Sequence, residues 1–160
     1  MSADPDTILA PGTLAPDFSL NATPDQQLAL HELRGKPVVL VFYPADWSAV
    51  CGDELALFNQ ALPMIAKSGA TVLGISVDSV WCHQAFISAR NLKFDLLADF
   101  HPKGEVARMY GSYDADHGYC KRSLYVIDKD GKIAWSYLSP TAINPGVDGV
   151  LDALDKLTSA

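Results

Sequence analysis

The run from Pro37 to Tyr43 (Pro-Val-Val-Leu-Val-Phe-Tyr) limits the fold class open to this chain. It is apolar throughout and rich in β-branched residues, as expected of a strand that is buried on both faces. Pro44 ends the run, and a second apolar run covers Thr71–Val77. Strands of this kind need helices packed above and below them, which predicts an α/β fold.

The segment after Pro44 changes to helical spacing. Leu55, Phe58, Leu62 and Ile65 stand at i, i+3, i+7 and i+10, which predicts a helix from Ser48 to about Ser68.

Shorter patterns complete the prediction. Strands alternate with helices, and a turn signal at Asp128-Lys129-Asp130-Gly131 then indicates a hairpin, so we expect a central mixed β-sheet flanked by helices. One domain is expected over residues 1–160. The other predicted elements are a strand near Asp17–Leu20, a helix from Asp78-Ser79 to about Arg90, a strand at Phe94–Leu97, a helix at Lys103–Tyr110, hairpin strands at Lys121–Ile127 and Lys132–Leu138, and a helix at Gly146–Leu157.

Charge and composition exclude several classes of protein. The 12 basic residues against 19 acidic ones give a formal charge of −7 and leave no basic stripe for a nucleic acid. No stretch is long and apolar enough to predict a membrane span. The N-terminus lacks the pattern of a secretory signal, so a cytoplasmic location is expected. In a reducing compartment, cysteines at 51, 82 and 120 are expected to be buried, catalytic or metal-bound rather than structural bridges.

Cys51 lies in the first turn of the helix that follows the buried strand. The unpaired backbone N–H groups and the positive end of the helix dipole favour a thiolate there, and the thiolate is the nucleophilic form of cysteine. Ser48, three residues earlier, can cap the helix or turn its hydroxyl towards the sulfur. An inert buried cysteine is the ordinary alternative, but this placement favours catalysis.

The pattern Pro44-x-x-x-Ser48-x-x-Cys51, with Glu54 three residues on, resembles the peroxiredoxin motif Pro-x-x-x-(Thr/Ser)-x-x-Cys. Ser stands where Thr is commoner in that family, and Gly52 stands where many members have Pro. The likeness extends in order over Ala15-Pro16-Asp17-Phe18, Arg34-Gly35-Lys36-Pro37 and Lys121-Arg122-Ser123-Leu124-Tyr125-Val126-Ile127-Asp128.

The resemblance implies a thioredoxin-like fold and a thiol-dependent peroxidase that needs no cofactor or metal. Cys51 would attack the peroxide and become a sulfenic acid. Ser48 and Arg122 would hydrogen-bond the peroxide oxygens, Pro44 would shield the thiolate from water, and Glu54 would orient Arg122. A favourable interaction of Glu54 with the helix dipole in the first turn explains that residue almost equally well. A peroxide substrate, an external thiol reductant (a thioredoxin-like protein or a low-molecular-weight thiol) and a homodimer are the partners it implies.

Two other functions fit the same fold. A thioredoxin-like disulfide oxidoreductase normally carries Cys-x-x-Cys, whereas this chain has Glu54 at the second position. A non-catalytic binding module would be expected to lack Cys51 or Arg122, and both are present. Both alternatives are therefore less favoured than the peroxidase.

The identity of a resolving cysteine stays open in the sequence. Ala56 occupies the position used by one peroxiredoxin subgroup, and no cysteine follows Cys120. Cys82 is the predicted partner of Cys51, although a related subgroup carries its cysteine about one turn later, near Ile87. Packing is an equally good explanation of Cys82.

Cys120 is the other candidate partner. If a strand ran through it, Cys120 would share a face with Arg122, but it could equally lie in the loop before the strand and point in any direction. No metal site is expected, because the four histidines (His31, His83, His101 and His117) lack the spacing of zinc ligands and are interpreted as surface or hydrogen-bonded residues.

Overall fold

The fold is described from a computed structural model, which covers residues 7–158; the outermost ends of the predicted domain lie outside the described residues. The elements in chain order are β1 (Ser19–Thr23), β2 (Gln26–Ala29), a 3-10 turn (Leu30–Leu33), β3 (Val38–Phe42), α1 (Ala49–Ala66), β4 (Thr71–Ser76), α2 (Val80–Arg90), β5 (Asp95–Ala98), α3 (Glu105–Met109), β6 (Tyr113–Asp114), β7 (Tyr119–Cys120), β8 (Ser123–Ile127), β9 (Ile133–Leu138) and α4 (Asp148–Thr158).

Seven of these strands form one mixed sheet in the order β2-β1-β5-β4-β3-β8-β9. Strand β3 lies inside it, parallel to β4 and antiparallel to β8. Every residue of β3 is at most 2% exposed, as its apolar run predicts. The predicted α/β fold with a central mixed sheet flanked by helices is confirmed.

The two faces of the sheet carry separate apolar cores. Along β3, Val39 and Val41 pack into the core that contains Cys51 and the apolar stripe of α1, whereas Leu40 and Phe42 pack into the opposite core. This division follows from the two-residue period of a strand.

The predicted strand from Lys121 is wrong at its start, because β8 begins only at Ser123. Tyr119 and Cys120 belong instead to a separate two-stranded ribbon with Tyr113 and Asp114. Alternation therefore does not carry through from residue 120 to residue 122. Cys120 packs with Tyr125 in the core opposite Cys51, so the shared face proposed for Cys120 and Arg122 is not formed.

The N-terminal part also differs from the prediction. The first strand is Ser19–Thr23 rather than Asp17–Leu20, and it pairs with β2, which was not predicted. Strand β2 reads Gln-Gln-Leu-Ala and lies at the sheet edge, where no buried run reveals it. Among the described residues, no helix is both long and apolar enough to cross a membrane.

Candidate active site

Cys51 sits in the first turn of α1, just beyond the end of β3, and its side chain is fully buried. Ser48 is the N-cap of this helix: its Oγ accepts a hydrogen bond from the backbone N–H of Cys51 at 3.5 Å. The predicted capping role of Ser48 is confirmed. Because Oγ accepts in this contact, the hydroxyl hydrogen is left to donate to another group. The helix N-terminus also gives the Cys51 sulfur a positive electrostatic environment.

Arg122 reaches the Cys51 sulfur from the neighbouring strand. It directly precedes β8, and the β3–β8 register sets Ser123 opposite Phe42, so Arg122 lies beside the loop that follows β3. Its Nη2 is 3.4 Å from the Cys51 Sγ, and its side chain is only 1% exposed. Arg122 is thus a buried active-site cation.

Two further hydrogen bonds hold the Arg122 guanidinium. Nη1 donates to Glu54 Oε1 at 2.8 Å, and Nε donates to the backbone oxygen of Thr141 at 2.9 Å. A guanidinium presents its donors in a rigid plane, so these two contacts fix the direction in which Nη2 points. Glu54 therefore lies where the predicted orienting role requires it.

Glu54 is fully buried, and only one of its two carboxylate oxygens has a hydrogen-bond partner. Among the described residues, its Oε2 is the one buried side-chain oxygen that has no hydrogen-bond partner. Burial raises the pKa of Glu54 to about 7, and the opposing effect of Arg122 is smaller. The sequence does not predict the burial of Glu54 or its raised pKa, because an acidic residue early in a helix is ordinarily solvated.

Pro44 is buried at the start of the loop between β3 and α1. Trp47, just before the cap, has a positive φ of 69° and packs edge-on against Phe86 of α2 at 5.0 Å between ring centroids. A non-glycine residue in this backbone region is uncommon and persists only where its surroundings hold it.

Asp46 provides that support. Its carboxylate accepts a hydrogen bond from the Tyr43 hydroxyl at 2.7 Å and contacts His83 Nδ1 at 2.7 Å, and its backbone N–H donates to Asp78 at 2.8 Å. His83 Nε2 is bonded in turn to the Leu97 carbonyl at 3.1 Å. The loop is therefore anchored to Tyr43, which directly follows β3, and to α2. Asp46 and His83 are 37 residues apart in the chain, so no local sequence pattern predicts their contact.

Asp46, Asp78 and His83 also carry side chains of the kind that bind metal ions, and their ligand atoms lie within 4.8 Å of one another. However, both carboxylate oxygens of Asp46 and both ring nitrogens of His83 already contact protein groups. Their arrangement suits an internal hydrogen-bond network that holds the loop.

Cys82 lies in the first turn of α2, half-buried, with its Sγ 3.9 Å from Asp78 Oδ1. Burial raises its pKa to about 11, and the charges of Asp46 and Asp78 add to the effect. Burial also raises the pKa of Cys120 well above its ordinary value. Each of these two thiols is therefore a weak nucleophile near neutral pH.

Comparison with known proteins agrees with this geometry. Residues 11–136 match the model of the AhpC/TSA family. The chain is a peroxiredoxin of that family. It is 33% identical to the chloroplastic 2-Cys peroxiredoxin BAS1 of Hordeum vulgare, over 91% of this chain and 74% of that protein. It is 32% identical to a thioredoxin peroxidase of Echinococcus granulosus, over 90% and 79% of the two chains.

Solved peroxiredoxin structures share the fold. The reduced 2-Cys peroxiredoxin of Plasmodium vivax superimposes with a TM-score of 0.86 at 27% identity, covering 94% of this chain and 83% of that one. AhpC of Mycobacterium tuberculosis gives 0.84 at 27% identity, covering 96% and 95%. The peroxiredoxin described here is accordingly an enzyme, a thiol-dependent peroxidase, as its motif predicts.

Proposed function

We propose that this peroxiredoxin reduces hydrogen peroxide or organic hydroperoxides with Cys51 as the nucleophile. The observation that supports this most directly is the 3.4 Å contact between Arg122 Nη2 and the Cys51 Sγ in the first turn of α1. The buried Arg122 guanidinium and the N-terminus of α1 both place positive electrostatic potential at the sulfur.

In the first step, the Cys51 thiolate attacks the terminal peroxide oxygen. A sulfur–oxygen bond forms as the oxygen–oxygen bond breaks, giving a sulfenic acid and a hydroxide or alkoxide ion. That ion takes up one proton and leaves as water or an alcohol. Sulfur is oxidised by two electrons and the peroxide is reduced by two, so no cofactor is needed.

Four neighbours support this step in the proposal. Arg122 donates to the peroxide oxygen on which negative charge develops, and the unused hydroxyl hydrogen of Ser48 supplies a second donor. Glu54 keeps Arg122 in its orientation. Pro44, buried at the edge of the loop, keeps water away from the sulfur.

The sulfenic acid must then be reduced by thiols. Its condensation with one protein thiol gives a disulfide and water, and two equivalents of a small thiol or one dithiol then reduce that disulfide and restore Cys51. We propose an external thiol of the thioredoxin type or a small thiol as the final reductant, with Cys82 forming the intermediate disulfide. A homodimeric state and a cytoplasmic location stay predictions.

Replacement of Cys51 tests the proposal. Cys51→Ser should abolish peroxide consumption, because a serine hydroxyl is not ionised near neutral pH and cannot form a sulfenic acid. Cys120→Ser is the matched control, since Cys120 is equally buried but lies in the opposite core. Peroxide consumption near the wild-type rate in folded Cys51→Ser protein would refute the assignment.

Arg122 gives a second test. Arg122→Met should slow Cys51 oxidation about tenfold or more, because it removes a charge-assisted hydrogen bond worth roughly 1.5–3 kcal/mol. Stopped-flow measurement of the second-order rate constant checks this. An unchanged constant would limit Arg122 to a structural role.

A further inference from the structure

Arg90, the last residue of α2, packs its guanidinium on the active-site helix. A Cβ built on Gly52 would lie 3.3 Å from Nη2, 3.4 Å from Cζ and 3.4 Å from Nη1. These nearly equal distances show that the flat face of the guanidinium covers Gly52. A side chain at residue 52 would require Arg90 to move by a few tenths of an ångström, so the glycine allows the guanidinium to lie close against α1.

An aromatic ring holds the same guanidinium. Arg90 Cζ lies 5.6 Å from the centroid of Phe86, within the range of a cation–π contact. Phe86 in turn supports Trp47, whose side chain is 52% exposed. Arg90 thus occupies a packed position at the end of an aromatic row, although it is solvent-exposed overall.

The hydrogen-bonding edges of Arg90 are unused. Within residues 7–158, no carboxylate forms an ion pair with Arg90 and no acceptor takes a hydrogen bond from its side chain. Arg122, by comparison, already engages three acceptors. The Arg90 guanidinium is therefore fixed in position while its N–H donors remain unpaired, in a chain whose formal charge is −7.

Arg90 also lies close to the reacting residue. Since Gly52 adjoins Cys51, standard backbone dimensions place Arg90 Cζ within about 9 Å of the Cys51 Cα. At this distance it does not share the buried position of Arg122 beside the sulfur. A substrate whose peroxide group is at Cys51 would reach Arg90 only through a part several bonds away from that group.

We propose that Arg90 forms a subsite for the carboxylate of an anionic organic hydroperoxide. A planar guanidinium matches a carboxylate through paired hydrogen bonds, and the exposed ring of Trp47 offers an apolar surface for the carbon chain. The inference rests on the proposed function: the carboxylate binds unchanged, while the oxygen–oxygen bond breaks at Cys51 as described above.

The test compares a short hydroperoxyhexanoate with its methyl ester, which differs mainly in charge. The ratio of their rate constants for Cys51 oxidation should exceed one in the wild type and fall as salt is added. Arg90→Gln should lower this ratio about fivefold, the effect of an ion pair near the protein surface. Arg108→Gln is the matched control, because Arg108 also lies over an aromatic ring, that of Tyr113, but on α3.

Separate results bear on the subsite and on the peroxidase. A wild-type ratio at or below one, an unchanged ratio in Arg90→Gln, or an equal fall in Arg108→Gln would overturn the subsite while hydrogen peroxide reduction continued. Loss of stability in Arg90→Gln with the ratio preserved would show that Arg90 only stabilises the end of α2. Wild-type protein that reduces no peroxide at all would overturn the proposed function, and the subsite with it.

Discussion

Glu54 is held by a single interaction in an environment that disfavours its charge. Arg122 engages one carboxylate oxygen and the other has no partner, so burial prevails and the pKa rises to about 7. The folded protein therefore binds more protons than the unfolded chain between the ordinary value of 4.5 and about 7. Across that interval, Glu54 makes the free energy of unfolding fall as the pH rises.

Glu54→Gln should remove this part of the pH dependence. The wild type is expected to lose on the order of 2–3 kcal/mol between pH 5 and pH 8 from Glu54 alone, and the variant should show a flatter profile. Urea unfolding at both pH values measures the difference. Glu32→Gln, at an exposed position, is the control and should keep the wild-type slope. Equal slopes in wild type and Glu54→Gln would show that Arg122 keeps Glu54 ionised.

Residue identity alone predicts only part of this site. The motif and the family resemblance point to five residues, and hydrogen bonds join four of them in the structure: Cys51, Ser48, Glu54 and Arg122. The fifth, Pro44, is buried in the adjoining loop. The supporting contacts of Asp46 with His83 and of Arg90 with Gly52 join residues distant in the chain. Such contacts depend on how α2 packs beside α1, which spacing within either segment does not reveal.

Among the helices and strands, the long periodic segments are the ones that the sequence predicts best. Three elements, β3, β4 and α1, each bury a continuous apolar surface. Their apolar residues therefore recur at a regular spacing that can be recognised in the sequence. The ribbon of β6 and β7 has two residues in each strand and was missed. The ribbon places Cys120 in the core opposite Cys51, which excludes the position beside Arg122 that was one of the two alternatives for this residue.

The first turns of α1 and α2 carry the two cysteines of the proposed disulfide. Helix ends open more readily than helix centres, because their backbone hydrogen bonds are fewest. Cys82 contacts Asp78, and its thiolate is disfavoured by burial and by the charges of Asp46 and Asp78, which raise its pKa to about 11. Disulfide formation through Cys82 is therefore expected to be slow at neutral pH.

The rate of Cys51–Cys82 disulfide formation should rise with pH. Below the Cys82 pKa of about 11, each pH unit increases its thiolate fraction about tenfold. Stopping the reaction with an alkylating agent at pH 7, 8 and 9 after one equivalent of peroxide, followed by peptide mapping, measures the rate. Cys82→Ser should accumulate the sulfenic acid instead. A Cys51–Cys120 peptide, or a rate independent of pH, would contradict the role given to Cys82.

In the molecule as a whole, one sheet separates two apolar cores, and its central strands contribute side chains to both. Neighbouring residues of β3 point into opposite cores, so neither core can lose its packing while the sheet stays intact. This arrangement predicts a single cooperative unfolding unit, in agreement with the one domain expected from the sequence.

Matched leucine substitutions test this cooperativity. Leu73 on β4 and Leu96 on β5 are each at most 1% exposed but belong to opposite cores. Either Leu→Ala change should lower the free energy of unfolding by about 2–5 kcal/mol, because each leaves a cavity beside the same sheet. Leu14→Ala, at a side chain 58% exposed, should cost much less.

Tryptophan fluorescence and far-UV circular dichroism should report one coincident transition in every variant, since both cores depend on the same strands. Separate transitions in Leu73→Ala or Leu96→Ala would mean that the two faces of the sheet unfold independently.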